Sequence, residues 1–127
     1  MVKLVYILRA RDDVEPAEFY RYWRAEHAAK VHSVAKAIGA RRYVQSHTLD
    51  TPLNAALIDS RGMSPAYEGV TEVWWDSLAE LQAAASTPEG TEAMRMLIED
   101  EGRFIDLSRS TIFMTEEHEI FDFTRAG

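Results

Sequence analysis

Hydrophobic and polar positions follow two different periods along the chain, and the clearest helical pattern covers residues 18–38. At about 100° per residue, this segment places six side chains on one stripe of a helix. Five of them are apolar, and the sixth, a histidine, lies in the middle of the stripe, so it should face the interior. The stripe consists of Phe19, Trp23, His27, Val31, Val34 and Ile38.

The segment that follows the helix, residues 40–48, has the pattern of a β-strand, and Gly39 between the two is a natural helix end. Alternation with a period of two places Tyr43, Gln45 and His47 on one face of this strand. An inward-facing histidine followed by a strand face of Tyr, Gln and His predicts a polar pocket in an apolar wall.

Three further strands are predicted. Residues 2–9 carry apolar side chains on both faces, which indicates burial of both faces. Residues 69–75 form a third strand, in which Val70, Glu72 and Trp74 share one face. The last strand lies near residues 110–114, and residues 119–123 either extend it or form a separate strand.

Two helices are predicted between the third strand and the last. Ser77 and Glu80 form a capping box that begins the first of them. Pro88 begins the second, and residues 100–106 form a bend or short turn. The inward positions are Leu78, Leu81 and Ala85 in the first helix and Met94, Leu97 and Ile98 in the second.

Residues 49–68 form a long connection without a sustained pattern. Connections of this length in compact domains are commonly lids, binding loops or partner-binding arms. A short helix over residues 53–58 is compatible with the sequence.

The order of elements, β-α-β-β-α-β, predicts an α+β fold: a ferredoxin-like antiparallel sheet with helices on one face. The length favours a single domain over residues 1–127. Because the helices cover one face while both faces carry large apolar residues, the uncovered face needs a partner. We therefore expect a homodimer in which two sheets pack face to face and close into a barrel-like core.

Composition narrows the classes of function. The net charge of −7 argues against nucleic acid and against anionic membrane surfaces as partners. The absence of cysteine excludes disulfides, thiolate metal sites and cysteine nucleophiles. The apolar start is too short for a signal peptide and no segment is long enough to span a membrane, so we expect a soluble, cytoplasmic protein. No glycine-rich phosphate loop occurs, which argues against nucleotide cofactors.

Several stretches of the chain, together with the W-x3-H and Y-V-Q-x-H elements within them, resemble the EthD family of dimeric α/β-barrel proteins. The resemblance implies a ferredoxin-like subunit and a homodimer. It also implies a link to degradation pathways or polyketide tailoring, in a superfamily that includes cofactor-free oxygenases, cyclases, dehydratases and isomerases. The stretches are MVKLVYILRARDDVEPAEFYRYWRAEHAAKV, RRYVQSH, YEGVTEVWWDS and DEGRFIDLSRSTIFMTEEHEI.

Three residues are candidates for catalysis. His27 and His47 can take or give a proton near neutral pH. Alternatively, each is a structural histidine whose ring is hydrogen-bonded within the fold. Glu72, a carboxylate in an apolar strand, either orients a histidine or forms a salt bridge to Arg41 or Arg42.

The candidates for substrate binding are aromatic or polar. Flat side chains suit an aromatic ligand but are also ordinary core residues. Tyr43 and Gln45 could orient a ligand oxygen or fix the end of the strand. The full set is Tyr6, Trp23, Tyr43, Gln45, Trp74 and Phe104, with Trp75 as a further aromatic surface.

No metal or other cofactor is expected. His27, His47 and Glu72 match the ligand types of a facial iron triad, but no short ligand motif supports this alternative. The acidic runs at residues 99–101 and 116–119 are expected to be solvated, and His32 lies off the stripe and should be exposed.

The chemistry favours an enzyme that acts on an aromatic or polyketide-like small molecule, with His27 and His47 moving protons while Glu72 or Gln45 orients them. Such pre-organised groups can work without metal or flavin. One alternative is a non-catalytic binding or pathway accessory protein that uses the same pocket. The other is a purely structural pair of subunits.

Overall fold

The sheet of the protein has four antiparallel strands, and the computed structural model describes residues 1–125. The strands are β1 (Val2–Leu8), β2 (Arg42–His47), β3 (Gly69–Trp75) and β4 (Thr111–Glu116). Their spatial order is β2-β3-β1-β4, which places β1 and β3 in the centre and β2 and β4 at the edges.

A long N-terminal helix follows β1 and contains one wide turn. It runs through α1 (Pro16–Tyr22), a π-helical segment (Trp23–His27) and α2 (Ala28–Val34). Pro16 fits the first helical position, where its missing N–H leaves no hydrogen bond unmade. The chain then turns at Gly39, whose φ of 73° is a left-handed conformation that glycine adopts without strain.

The other helices are α3 (Pro52–Asp59), α4 (Leu78–Ala85) and α5 (Pro88–Glu101). Each begins with a hydroxyl side chain that accepts a hydrogen bond from a free backbone N–H of the first turn. These caps are Thr51, Ser77 and Thr87. A short 3₁₀ turn, Leu107–Arg109, precedes β4.

The long N-terminal helix, α4 and α5 pack against one face of the sheet, and this helix-covered face holds the core. Leu8, Phe19 and Trp23 are fully buried there. A second cluster joins α2 and α5 to the sheet through Val31 and Leu97. The pairing register places Gln45, Thr71, Tyr6 and Ile112 in one row across this face.

The other face carries no helix, although it is also apolar. The register places Val5, Glu72 and Phe113 side by side on it. Its remaining apolar members are Ile7, Val44, Val70 and Trp74. The predicted fold class and element order are therefore confirmed, with helices on one face of a ferredoxin-like sheet.

Some details of the prediction were wrong. Leu78 is 49% exposed, because α4 turns other side chains towards the sheet. Ile98 lies on the inner side of α5, as predicted, but is 60% exposed. Helix α5 continues to Glu101, into the stretch predicted as a bend. Residues 119–123 form no strand. The short helix predicted within the connection is present as α3.

Candidate functional site

A cavity of about 270 Å³ lies between the helix-covered face of the sheet and the helices. Most of its lining is apolar, and aliphatic side chains from three strands and from the helices form most of its walls. Five polar side chains also line it. They are Tyr6, His27, Tyr43, Thr71 and Glu101.

His27 enters this cavity from the π-helical segment and is 5% exposed. Its Nδ1 lies 2.6 Å from Oδ2 of Asp100. Its Nε2 has no hydrogen-bond partner within residues 1–125. Every fully buried polar side-chain atom of those residues does have a partner, so Nε2 is not fully buried. Nε2 therefore reaches the open space of the cavity.

Asp100 lies at the end of α5 and is 2% exposed. Besides His27, its carboxylate accepts hydrogen bonds from Lys30 Nζ at 2.6 Å and from the Tyr22 hydroxyl at 2.5 Å. Burial acts to raise the pKa of Asp100, but the hydrogen bonds from Lys30, Tyr22 and His27 outweigh it and leave the pKa below its ordinary value. Asp100 is therefore ionised at neutral pH.

The protonation of His27 follows from these contacts. Burial lowers the pKa of His27, and the opposing effect of Asp100 does not restore it to its ordinary value. The ring is therefore neutral near pH 7, and its proton sits on Nδ1, where it is donated to the ionised carboxylate. This tautomer leaves the lone pair of Nε2 directed into the cavity, where it can accept a proton.

Glu101 contributes a second titratable group to the same cavity. The Tyr6 hydroxyl donates a hydrogen bond to Glu101 Oε1 at 3.0 Å. Burial, together with the nearby charge of Asp100, raises the pKa of Glu101 to about 7 despite this hydrogen bond. The same burial, with Glu101 close by, raises the pKa of Tyr6 and keeps its hydroxyl protonated.

His47 lies outside the cavity, in a surface depression beside Arg24 and Gln45. Its ring stacks on Trp23 at a centroid distance of 4.3 Å, and its Nε2 donates to Gln45 Oε1 at 2.7 Å. Burial and the charge of Arg24 lower the pKa of His47. Gln45 Nε2 in turn donates to the Tyr43 hydroxyl at 2.8 Å, so a hydrogen-bonded chain runs from His47 to the cavity wall. The two histidines do not share one cavity.

Glu72 and Trp74 lie on the opposite face of the sheet from the cavity. Glu72 pairs with Lys3 at 2.6 Å, not with Arg41 or Arg42. Trp74 donates from Nε1 to Glu117 Oε1 at 2.6 Å. The expectation that Glu72 lies near the histidines, or that Trp74 lines the same pocket, was wrong because the strand's other face meets the helices.

This placement also separates the residues of the iron-triad alternative, because Glu72 is on the far side of the sheet from His27. In the part of the chain that the structure describes, no group of three or more His, Asp or Glu is arranged to hold a metal ion.

The remaining aromatic candidates occupy different positions. Tyr6, Trp23 and Tyr43 line the cavity, as does Trp75. Phe104 is 2% exposed and packs against the His27 ring at a centroid distance of 5.0 Å, so it supports the imidazole from the core side.

Sequence reasoning missed Asp100 and Glu101, which it assigned to a solvated acidic run. The available signal was the spacing of α5, where Asp100 continues the buried series of Gly90, Ala93 and Leu97 at intervals of three and four residues. His32 is exposed, as expected.

Comparison with known proteins shows a family match and several similar folds. A family model described as "EthD domain" matches residues 11–108. No curated protein matches the chain. Among the helices of residues 1–125, none is both long and apolar enough to cross a membrane.

Three solved structures illustrate the likeness in fold. An EthD family protein from Bacillus halodurans is 23% identical with a TM-score of 0.62, covering 93% of this chain and 99% of its own. A dimeric protein with a ferredoxin-like fold from Bacteroides fragilis is 14% identical with a TM-score of 0.57, covering 91% and 95%. SnoaB, a cofactor-independent oxygenase from Streptomyces nogalater, is 16% identical with a TM-score of 0.53, covering 93% of each chain.

Proposed function

The chain belongs to the EthD domain family, and from its cavity we propose that it is an enzyme that removes a proton from a small, largely apolar substrate. His27 is the general base in this proposal. The substrate is an aromatic or polyketide-like molecule, and the proton transfer is assigned to side chains without metal or flavin.

The observation that carries this proposal is the arrangement of His27. Its Nδ1 is bound to the ionised Asp100, and its Nε2 opens into an apolar cavity. When Nε2 accepts a proton, the imidazolium that forms is stabilised by the buried carboxylate beside it. Asp100 is itself held in place by Lys30 and Tyr22. This is the arrangement of a base oriented by a fixed acidic partner.

The size and lining of the cavity define the substrate class. A volume of about 270 Å³ lies just below the ~300–1,000 Å³ that is usual for drug-sized ligands. One or two rings therefore fit in this space. The aromatic walls of Trp23 and Trp75 favour a flat molecule.

The fate of the deprotonated substrate belongs to one of a few classes. A carbanion next to a carbonyl can cyclise, eliminate water, isomerise or react with oxygen. SnoaB, which has a similar fold, is a cofactor-independent oxygenase. This supports the view that the fold can host such chemistry without a bound cofactor, whereas the product formed by this chain depends on its own cavity.

We also propose that the protein is a homodimer. The face of the sheet without helices is apolar around Val5, Ile7 and Phe113. Similar structures from Bacteroides fragilis and Thermobifida fusca are described as dimeric. Two such faces packed together would remove this apolar surface from water.

Substitution of His27 by glutamine tests the function. A set of one- and two-ring phenols and ketones is first screened for binding by thermal shift, and the binders are then followed for conversion by mass spectrometry. General-base catalysis commonly contributes about 10²–10⁴-fold in rate. We therefore expect His27→Gln to lose at least about 100-fold in turnover.

The matched control is His32→Gln, because His32 lies on the same helix but is exposed. Its turnover should equal that of the wild type. Normal turnover by a folded His27→Gln variant would contradict the proposal.

A second candidate function is non-catalytic binding, which the largely apolar lining of the cavity also suits. It predicts that the bound compounds remain unchanged and that His27→Gln alters affinity alone. A purely structural pair of subunits does not account for a cavity of this size.

A further inference from the structure

Among the titratable side chains that line the cavity in residues 1–125, two have an atom without a hydrogen-bond partner. One is Nε2 of His27, and the other is Oε2 of Glu101, which makes no hydrogen bond within the described part of the chain. Oε1 of Glu101 is fixed by the Tyr6 hydroxyl at 3.0 Å, which leaves Oε2 as the oxygen that can meet a ligand. The cavity thus presents a base from the long N-terminal helix and a carboxyl group from α5.

We propose that Glu101 is the proton donor that complements His27, and that the substrate is a one- or two-ring carbonyl compound with an acidic C–H next to the carbonyl. This assignment rests on the proposed function, because it needs a base in the same cavity. In this assignment Oε2 of Glu101 meets the substrate oxygen, while the Tyr6 hydroxyl holds Oε1 of Glu101 in place.

The proposed step balances without an oxidant. The C–H bond breaks, its proton goes to His27 Nε2, and its electron pair forms a C=C bond. The carbonyl π pair moves to oxygen, which takes the proton from Glu101 Oε2. The products are an enol, an imidazolium paired with Asp100, and a Glu101 carboxylate that accepts the Tyr6 hydrogen bond. Return of the two protons to the same or a different carbon and to Glu101 regenerates the enzyme.

The surroundings of Glu101 suit a carboxylic acid that donates a proton. Two tyrosines lie near Glu101, Tyr6 on β1 and Tyr43 on β2. His27 lies across the cavity on the long N-terminal helix, and Asp100 precedes Glu101 on α5. No cation is among these neighbours, and the pKa of Glu101 is about 7 because of burial and the charge of Asp100. A large share of Glu101 is therefore protonated at neutral pH, as a general acid must be.

Deuterium exchange of β-tetralone in D₂O, followed by proton NMR, tests this assignment. β-Tetralone is a two-ring ketone with acidic C–H groups next to its carbonyl. The wild type should exchange the compound faster than buffer alone does. As the pH is raised, the exchange rate should first rise because His27 loses its proton, and then fall near pH 7 because Glu101 loses its proton.

Glu101→Gln should lower the exchange rate about 100-fold and remove the fall at high pH, while leaving β-tetralone affinity nearly unchanged. An amide of the same shape still forms a hydrogen bond but cannot give up a proton. The matched control is Glu99→Gln, on the same helix, where Glu99 is exposed and pairs with Arg95. This control should match the wild type.

Tyr6→Phe provides a second readout that does not require removal of Glu101. The Tyr6 hydrogen bond acts to lower the pKa of Glu101. Its loss should raise that pKa and shift the fall in rate to higher pH. A purely structural role for Tyr6 would leave the position of the fall unchanged.

The proposal is overturned if the wild type fails to accelerate exchange, if Glu101→Gln exchanges at the wild-type rate, or if the fall at high pH persists in that variant. His27→Gln separates this result from the proposed function. If His27→Gln loses exchange while Glu101→Gln exchanges normally, the general base is supported and the general acid is contradicted. If Glu101→Gln loses exchange while His27→Gln exchanges normally, the general acid is supported and the general base is contradicted.

Discussion

Asp100 and Glu101 are neighbours in the chain, yet their carboxyl groups have opposite pKa shifts. Three hydrogen-bond donors surround Asp100 and hold its pKa below the ordinary value against the effect of burial. Glu101 has only the Tyr6 hydroxyl, so burial prevails and its pKa rises to about 7. One carboxylate thus stays charged to support His27, while the next remains partly protonated.

This difference predicts a pH-dependent change in stability for Glu101→Gln. Between the ordinary pKa of 4.5 and the folded-state value of about 7, the folded wild type binds more protons at Glu101 than the unfolded chain. The wild type therefore loses stability as the pH rises through this range, whereas a glutamine does not titrate. We therefore compare the free energy of unfolding of the variant with that of the wild type. This difference should favour the variant by up to about 3 kcal/mol more above pH 7 than below pH 4.5.

Urea unfolding of both proteins at about pH 4 and about pH 8 measures this change. Glu99→Gln serves as the control, and its difference from the wild type should be small at both values. An equal difference for Glu101→Gln at the two pH values would contradict the raised pKa.

The inward position of His27 could be predicted because the other members of its stripe are apolar. The role of Asp100 could not, since an acidic run is usually solvated and its partner His27 lies 73 residues away in the chain. For Glu72 the alternation correctly grouped it with Val70 and Trp74. Both faces of β3 are apolar, however, so the sequence did not indicate which face meets the helices.

Among the helices, the close approach of α4 and α5 depends on Gly90. A Cβ added at this residue would lie 1.8 Å from the backbone oxygen of Ala84. Gly90→Ala should therefore destabilise the protein by about 3 kcal/mol, because backbone atoms cannot move aside as a flexible side chain can.

Thermal or urea unfolding checks this value, and Gly102→Ala is the matched control. At Gly102 an added Cβ would come no nearer than 3.5 Å to another atom, which is ordinary contact. A Gly90→Ala variant as stable as Gly102→Ala would contradict the close contact between the two helices.

Most elements could be predicted from local signals. The hydroxyl caps, the prolines at first helical positions and Gly39 define helix ends, and these depend on neighbouring residues only. Leu78 was misplaced because a short apolar pattern fits more than one rotation of a helix. The π-helical segment was not predicted, although the regular spacing of four residues from Phe19 to Trp23, His27 and Val31 was visible.

At the level of the assembly, the helix-free face of the sheet predicts dimerisation. Phe113 lies on this face and is 47% exposed in the subunit. Phe113→Glu would place a charge in the proposed interface, where it would lose its hydration without gaining a partner. Light scattering after size exclusion should therefore give the mass of a monomer for this variant and of a dimer for the wild type.

Leu78→Glu is the matched control, because Leu78 is 49% exposed on α4, away from that face. This variant should remain dimeric. A dimer of Phe113→Glu as tight as that of the wild type would contradict an interface at this face.

The topology could be predicted because the order of strands and helices permits few arrangements with right-handed connections. A pocket beside His27 could also be predicted, but its size and largely apolar lining could not, since they depend on how far the helices stand from the sheet. That separation is set by side chains from distant parts of the chain, such as Trp23 over Gly69, where an added Cβ would come within 2.6 Å of the indole ring.

The wide turn of the long N-terminal helix implies that this helix holds one surplus residue. In a regular α-helix a step of four residues over-rotates by about 40°, so the three steps from Phe19 to Val31 would drift by about 120°, which is the full width of the stripe. The π-helical segment absorbs that drift. Deletion of the exposed Ala25 would shorten this segment by one residue. A regular α-helix would then hold the four side chains at the present positions of Phe19, Trp23, His27 and Val31 within an arc of about 60°. The segment can thus change length by one residue while both flanking turns stay seated on the sheet.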